Sequence, residues 1–133
     1  MMTDTLTPYA QCVEDIESVY EFLLAYAAQG REKEPTGPDG VAVRPLVDRL
    51  SHALGRVAVA ATGAAAEAGS EAEAFVQRIG EDAARAKDAV DLARAAPNLS
   101  SQLIDNLNAS VHLRTLLTDL FLFDEVLKAL RRG

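Results

Sequence analysis

Apolar residues return every three or four positions along most of the chain, and this spacing restricts the fold more than any other feature. Between residues 8 and 29 they form one helical face, with glutamates opposite; this face comprises Tyr9, Val13, Ile16, Tyr20, Leu23 and Ala27. Alternation with a period of two occurs only in LFLF at 120–123, inside a helical pattern. The spacing therefore predicts an all-α protein.

Length and composition agree with a compact set of helices that carry small side chains. The chain has 133 residues, which is the size of one domain, and it is 49% apolar but only 5% aromatic, with no tryptophan. Small side chains let helix backbones approach closely. We expect a single helical domain over residues 1–133, with a flexible tail at 1–7 and a surface loop at 30–42, where glycine, proline and charged residues cluster.

Capping and stop signals divide the first hundred residues. Three helices are predicted, over residues 8–29, from about 43–45 to Gly69, and from Ser70 to Pro97. Ser70 and Glu73 have the spacing of a capping box at the start of the third helix. Because the link between the second and third helices is very short, we expect them to be antiparallel neighbours.

The last apolar stretch changes phase. Leu103, Ile104, Leu107 and Val111 share one side of a helix, and the nearly opposite side carries Leu113, Leu116, Leu117, Leu120, Phe123, Leu127 and Leu130. One straight amphipathic helix cannot bury both sets. The sequence therefore predicts a four-helix bundle whose last helix is bent or broken near residues 108–110.

Charge and cysteine content exclude several partners and settings. The chain has 20 acidic and 13 basic residues and a net charge of −7, and the basic residues are not gathered on one face, which disfavours nucleic acid. The single Cys12 cannot form an internal disulfide, and no 18-residue apolar run is present. We expect an acidic cytoplasmic protein without a membrane span, and a composition rich in Ala, Arg, Asp and Val suggests a bacterial source.

No pattern of residues points to catalysis. The chain lacks a phosphate-binding glycine loop and a recognisable Ser/His/Asp motif, and its two histidines have no metal-ligand spacing. Cys12 falls on or beside the core face of the first helix, where a thiol is inert. His112 stands at the expected break, where a histidine caps or packs. We therefore expect no enzyme activity, no cofactor and no metal.

One histidine has a possible chemical role. His52 falls on the side of the second helix opposite its apolar face, with Arg56 one turn further on. The stretch His52, Ala53, Leu54, Gly55, Arg56 resembles the His-x-Leu-Lys-Gly motif of histidine-phosphotransfer domains, with glycine and the basic residue in exchanged order. That resemblance implies a phosphorelay module using His52, which is the alternative to a solvated surface histidine.

The main functional hypothesis rests on misplaced apolar residues. Phe121 and Leu122 fall among polar residues on the predicted outer side of the last helix, where a partner protein or a bend in the chain would have to cover them. The predicted partner-binding residues are Leu113, Leu117, Phe121, Leu122 and Glu125. We expect a non-catalytic accessory or adaptor subunit, or a self-associating module such as a homodimer.

Two further surfaces bear on association. Gly55 and Gly63 lie inside the second helix, where glycine costs about 1 kcal/mol relative to alanine, so we expect close packing by another helix, or else a loosely ordered helix end. The first helix carries an acidic outer face formed by Glu14, Asp15, Glu17 and Glu21. Such a face is either simply solvated or complementary to a basic partner.

Overall fold

A computed structural model describes residues 7–35, 42–66 and 68–132 of the chain. These residues form five helices: α1 (Pro8–Ala27), α2 (Val43–Ala64), α3 (Ser70–Arg94), α4 (Ser101–Ala109) and α5 (His112–Arg132). The described ranges contain no strand. The all-helical prediction is confirmed for the described residues, in which the last apolar stretch is divided into two helices.

The first three helices begin close to the predicted residues, but one cap differs. Thr7 caps α1, because its hydroxyl oxygen accepts a hydrogen bond from the Ala10 backbone at 3.0 Å. The capping box predicted at Ser70 is wrong. Gly69, with φ 103°, precedes α3, so Ser70 is already helical and its hydroxyl lies 3.2 Å from a Glu71 carboxylate oxygen.

The helices pack in a closed sequence, in which α1 contacts α2, α2 contacts α3, α3 contacts α5, and α5 returns to α1. Asp48 of α2 contacts Arg94 of α3, and Ala58, further along α2, lies beside Gly80, which is earlier in α3. The residue numbers therefore rise along α2 as they fall along α3. The antiparallel arrangement expected from the short connection is therefore confirmed. α4 packs mainly against α1.

The junction between α4 and α5 is a sharp departure from helical geometry. Ser110 ends α4, and its hydroxyl donates to the Leu107 carbonyl at 2.6 Å. Val111 then has φ 62°, a left-handed conformation that a β-branched residue rarely adopts. This turn reorients the chain, so that α4 and α5 each bury most of their own apolar face and the phase change in the sequence is accommodated. Val111 and Leu130, which the sequence pattern placed on those faces, are 47% and 52% exposed.

Buried tyrosines tie α1 to the C-terminal half of the chain. The Tyr9 hydroxyl donates to the Leu120 carbonyl at 3.2 Å, and its ring meets Phe123 edge to face with centroids 5.7 Å apart. At the other end of α1, the Tyr26 hydroxyl donates to the Leu99 carbonyl at 2.5 Å. Tyr9 therefore joins α1 to α5, and Tyr26 joins α1 to the connection between α3 and α4.

The predicted tail (1–7) and loop (30–42) fall only partly within the described residues. Residues 1–6 of the tail and residues 36–41 of the loop lie outside the described residues. The described part of the loop is attached to the α3–α4 turn, because the Glu34 backbone donates to Asn98 Oδ1 at 2.9 Å and the Arg31 backbone donates to Ser101 Oγ at 2.8 Å. None of the described helices combines the length and apolar character required to cross a bilayer.

Candidate partner-binding site

The outer side of α5 carries exposed apolar residues. Phe121 is 44% exposed and Leu122 is 56% exposed, so the alternative that another helix of this chain covers them is not realised in the described residues. Leu113 and Leu117 are only 2% and 4% exposed. These two leucines lie on the face of α5 that packs into the core, and their role in binding a partner stays a prediction.

A groove of about 370 Å³ lies between α1 and α5, beside Phe121. Its lining consists of Glu17, Tyr20, Glu21, Leu24, Arg114, Leu117, Thr118 and Phe121. Leu24 is 47% exposed, so an exposed apolar side chain from each helix lines the groove, with the largely buried Leu117 between the helices. The sequence pattern did not reveal this groove, because Leu24 belongs to α1 and meets α5 only through tertiary packing.

Charges around the groove are mainly negative. α1 contributes Glu17 and Glu21 to its lining, contains two further acids and has no lysine or arginine; α5 contributes Arg114. Within the described residues, neither Glu17 nor Glu21 forms an ion pair. Glu125, predicted as a partner-binding residue, is exposed one turn beyond Phe121 and lies 3.6 Å from Lys128. The groove therefore combines exposed apolar side chains with unpaired carboxylates.

The two glycines of α2 have different surroundings. A Cβ atom built on Gly55 would lie 3.3 Å from Cε of Lys87, so a side chain of α3 closely covers this position. A Cβ atom on Gly63 would have no described atom within 4 Å. The close neighbour of Gly55 is therefore a lysine side chain, and no described atom lies close to Gly63. Close packing of these two glycines against a helix of a second copy stays a prediction.

His52 is exposed on α2, as its position opposite the apolar face predicted. The neighbouring Asp48 turns away towards α3, where its carboxylate accepts a hydrogen bond from Arg94 Nε at 2.9 Å. Arg56, one turn beyond His52, is also exposed. Lys87 adds a second basic side chain to this surface, since it lies over Gly55.

An ion-pair network on α3 occupies the neighbouring surface. Asp91 accepts hydrogen bonds from Lys87 at 2.7 Å, from Ser51 at 2.6 Å and from Arg94 at 2.9 Å. Burial by itself raises the pKa of Asp91, but these three donors outweigh burial and lower the pKa to about 2. Lys87 is therefore engaged in a structural ion pair, which limits its freedom to serve His52.

Cys12 and His112 are the remaining candidate residues for chemistry or metal binding. Cys12 is 4% exposed, and burial raises the pKa of its thiol. His112 is half-buried at the first position of α5. The described residues contain no group of three or more His, Cys, Asp or Glu side chains that could hold a metal ion.

Comparisons with protein families, with curated proteins and with solved structures return no match for this chain. The function is therefore inferred from the geometry of the surface itself. The combination that stands out is the apolar groove beside Phe121 and Leu122 with the acidic residues of α1.

Proposed function

We propose that this chain is a non-catalytic accessory protein of the cytoplasm that binds another protein through the α1–α5 groove. In this proposal α1, α2, α3 and α5 act as a four-helix bundle that presents the groove. The observation that carries the proposal is the exposure of Phe121 and Leu122 at 44% and 56%, beside a groove with an apolar floor. Glu125 completes the partner-binding residues.

Covering the exposed parts of Phe121, Leu122 and Leu24 would favour association. Burying one phenylalanine or leucine side chain contributes about 1.5 to 3 kcal/mol, and each 1.4 kcal/mol corresponds to about a tenfold change in the dissociation constant. A partner that covers Phe121 and Leu24 gains binding free energy from an apolar side chain on each of the two helices. Aromatic residues at the centre of an interface also tend to dominate its binding energy.

The partner that fits this groove is an amphipathic helix with basic flanks. Glu17 and Glu21 line the groove without ion pairs in the described residues, so lysines or arginines beside an apolar face would find carboxylates there. A second copy of this chain fits less well, because a symmetric contact would place one acidic α1 against another. The proposal therefore commits to a different protein as the partner.

A synthetic amphipathic helix with a leucine face and lysine flanks tests the groove directly. We expect it to perturb the backbone amide resonances of residues around Phe121 and Leu24, and Phe121→Glu to weaken its binding about tenfold or more. Leu92→Glu on α3 is a matched control, because Leu92 is 78% exposed but lies away from the groove. This control should bind the peptide like the wild type.

Three outcomes would contradict the proposal. The first is a glutamate-flanked version of the peptide binding as tightly as the lysine-flanked one. The second is Phe121→Glu and Leu92→Glu having the same effect. The third is that sedimentation shows a homodimer for the wild type and a monomer for Phe121→Glu. A second copy of the chain would then occupy the groove.

Phosphorelay through His52 is the second candidate. It is favoured by the exposed imidazole and by the exposed Arg56 one turn away. A phosphorylated response-regulator receiver should then transfer an acid-labile phosphate to the wild type and to His112→Gln, but not to His52→Gln. Failure of the wild type to accept phosphate from such receivers would end this candidate.

A further inference from the structure

Two aspartates meet across the interface between α3 and α5. Asp82 on α3 and Asp119 on α5 lie within hydrogen-bonding reach of one another. The side chain of Asp82 is only 13% exposed, and the Oδ2 atom of Asp119 is buried. No described donor reaches that oxygen. A buried carboxylate oxygen without a donor is costly, so the pair requires an explanation.

Basic residues near the pair compensate only one of its two charges. Arg85 Nη1 lies 3.0 Å from Asp82 Oδ1, and this arginine is itself 59% exposed. Arg78, also on α3, favours the ionised form of Asp119 through its charge without forming an ion pair with it in the described residues. The described parts of α1 and α4, which also pack against α5, contribute no charged group to the shift at Asp119.

A shared proton accounts for this geometry. Two carboxylates in contact repel each other when both are ionised, whereas a protonated carboxyl donates a hydrogen bond to an ionised one. Burial is the main cause that raises the pKa of Asp119, followed by its hydrogen bond with Asp82 and the charge of Asp82, and the result is about 7. The Arg85 guanidinium forms an ion pair with Asp82, whereas Asp119 forms no ion pair in the described residues.

We propose that Asp82 and Asp119 form a proton-operated latch between α3 and α5. When Asp119 carries a proton, it donates that proton in a hydrogen bond to the Asp82 carboxylate and joins the two helices. When the proton leaves, two negative charges face each other in a partly buried site and the interface loosens. The proton is the only ligand that the latch requires.

The direction of the pH effect follows from the direction of the pKa shift. The folded-state pKa of Asp119 is raised above its ordinary value of 3.8, so the folded protein binds more protons than the unfolded chain between these two values. The latch therefore stabilises fully below about pH 4, and its contribution is lost as pH rises through about 7. This readout is the stability of the protein itself, so it is independent of the partner proposed above.

Asp119→Asn tests the latch, because an asparagine amide can donate a hydrogen bond to Asp82 at every pH. We expect the thermal midpoint of the wild type to fall by several degrees relative to Asp119→Asn between about pH 5 and about pH 8. Asp88→Asn, at an exposed position of the same helix, should keep the pH profile of the wild type. Equal profiles for wild type and Asp119→Asn would overturn the latch.

Carboxyl-carbon NMR of the wild type provides a test that does not depend on the variant folding. Asp119 should titrate with a pKa of about 7, and Asp82→Asn should lower that pKa, because the new amide donates to Asp119 and the repelling charge is gone. Titration of wild-type Asp119 near its ordinary value of 3.8 would overturn the proposal, as would an unchanged Asp119 pKa in Asp82→Asn.

Discussion

Aspartates lie at the interfaces of α3 with α2 and with α5, and the two interfaces shift the pKa of an aspartate in opposite directions. Towards α2, Asp91 is held by Lys87, Ser51 and Arg94, and its pKa is lowered to about 2. Towards α5, Asp119 faces Asp82 and its pKa is raised to about 7. The residue type is the same, so the donors around the carboxylate decide whether its charge stabilises a helix interface; at Asp91 these are Lys87 and Arg94 of α3 itself and Ser51 of α2.

Further hydrogen bonds join α2 to the C-terminal end of α3. Arg44 of α2 donates to the carbonyls of Arg94 at 3.1 Å and Ala96 at 3.0 Å, so it caps the C-terminus of α3. The same guanidinium pairs with Glu34 at 2.8 Å, whose carboxylate accepts the Leu99 backbone N–H at 2.9 Å. We infer that α2 and α3 form the fixed half of the protein, whereas α5 can adjust.

The largest effect that tests this contrast is expected from Arg44→Met. The change retains apolar volume but leaves the Glu34 carboxylate, 17% exposed, and two helix-end carbonyls without their donor, which should cost about 2 kcal/mol of unfolding free energy. Urea denaturation measures the loss. Arg49→Met, at an exposed position of the same helix, should cost less than about 0.5 kcal/mol. Similar losses for both variants would mean that the cap does not strengthen this interface.

Asp91→Asn should have the next largest effect. Replacing the carboxylate weakens three hydrogen bonds, and because the side chain is 36% exposed we discount the loss to about 1 kcal/mol at neutral pH. A lowered folded-state pKa gives stability that is present above about pH 4 and is lost as pH falls towards about 2. Wild type and Asp91→Asn should therefore converge in unfolding free energy in acid.

The changes in unfolding free energy caused by Asp91→Asn and Asp119→Asn should have opposite signs. Above about pH 7, Asp91→Asn should destabilise the protein and Asp119→Asn should stabilise it, although both remove one aspartate charge from an acidic chain. A general relief of the net charge of −7 would instead make both variants more stable. Chemical denaturation of the two variants in one buffer distinguishes these explanations.

Local sequence signals predicted the helical segments well. The first helix was expected over residues 8–29 and is Pro8–Ala27, and the third was expected from Ser70 and begins there. These boundaries depend on prolines, glycines and apolar spacing, which act over a few residues. The capping box at Ser70 failed because Gly69 adopts a positive φ and takes the capping position.

The features that define the candidate sites are tertiary and had no sequence signal. Asp82 and Asp119 both lie beside predicted core faces as ordinary polar residues, and only the register between α3 and α5 brings them together. Leu24 reaches the groove in the same way. By contrast, the exposure of Phe121 and Leu122 was predictable, because both break the amphipathic pattern of α5 itself.

The smallest expected effect concerns the glycines of α2 and tests how firmly Lys87 is held. Gly63→Ala should raise the unfolding free energy by about 0.5 to 1 kcal/mol, because alanine favours helix and nothing described lies within 4 Å of the added methyl group. Gly55→Ala should give less, since its methyl group would meet Lys87 Cε at 3.3 Å while that lysine is bound to Asp91. In an Asp91→Asn background, Lys87 is freer to move and the two gains should become equal. Urea denaturation measures both variants. If Gly55→Ala and Gly63→Ala raised the unfolding free energy equally without the Asp91 substitution, Lys87 would move aside despite its bond to Asp91, and the α2–α3 interface would be less fixed than its hydrogen bonds suggest.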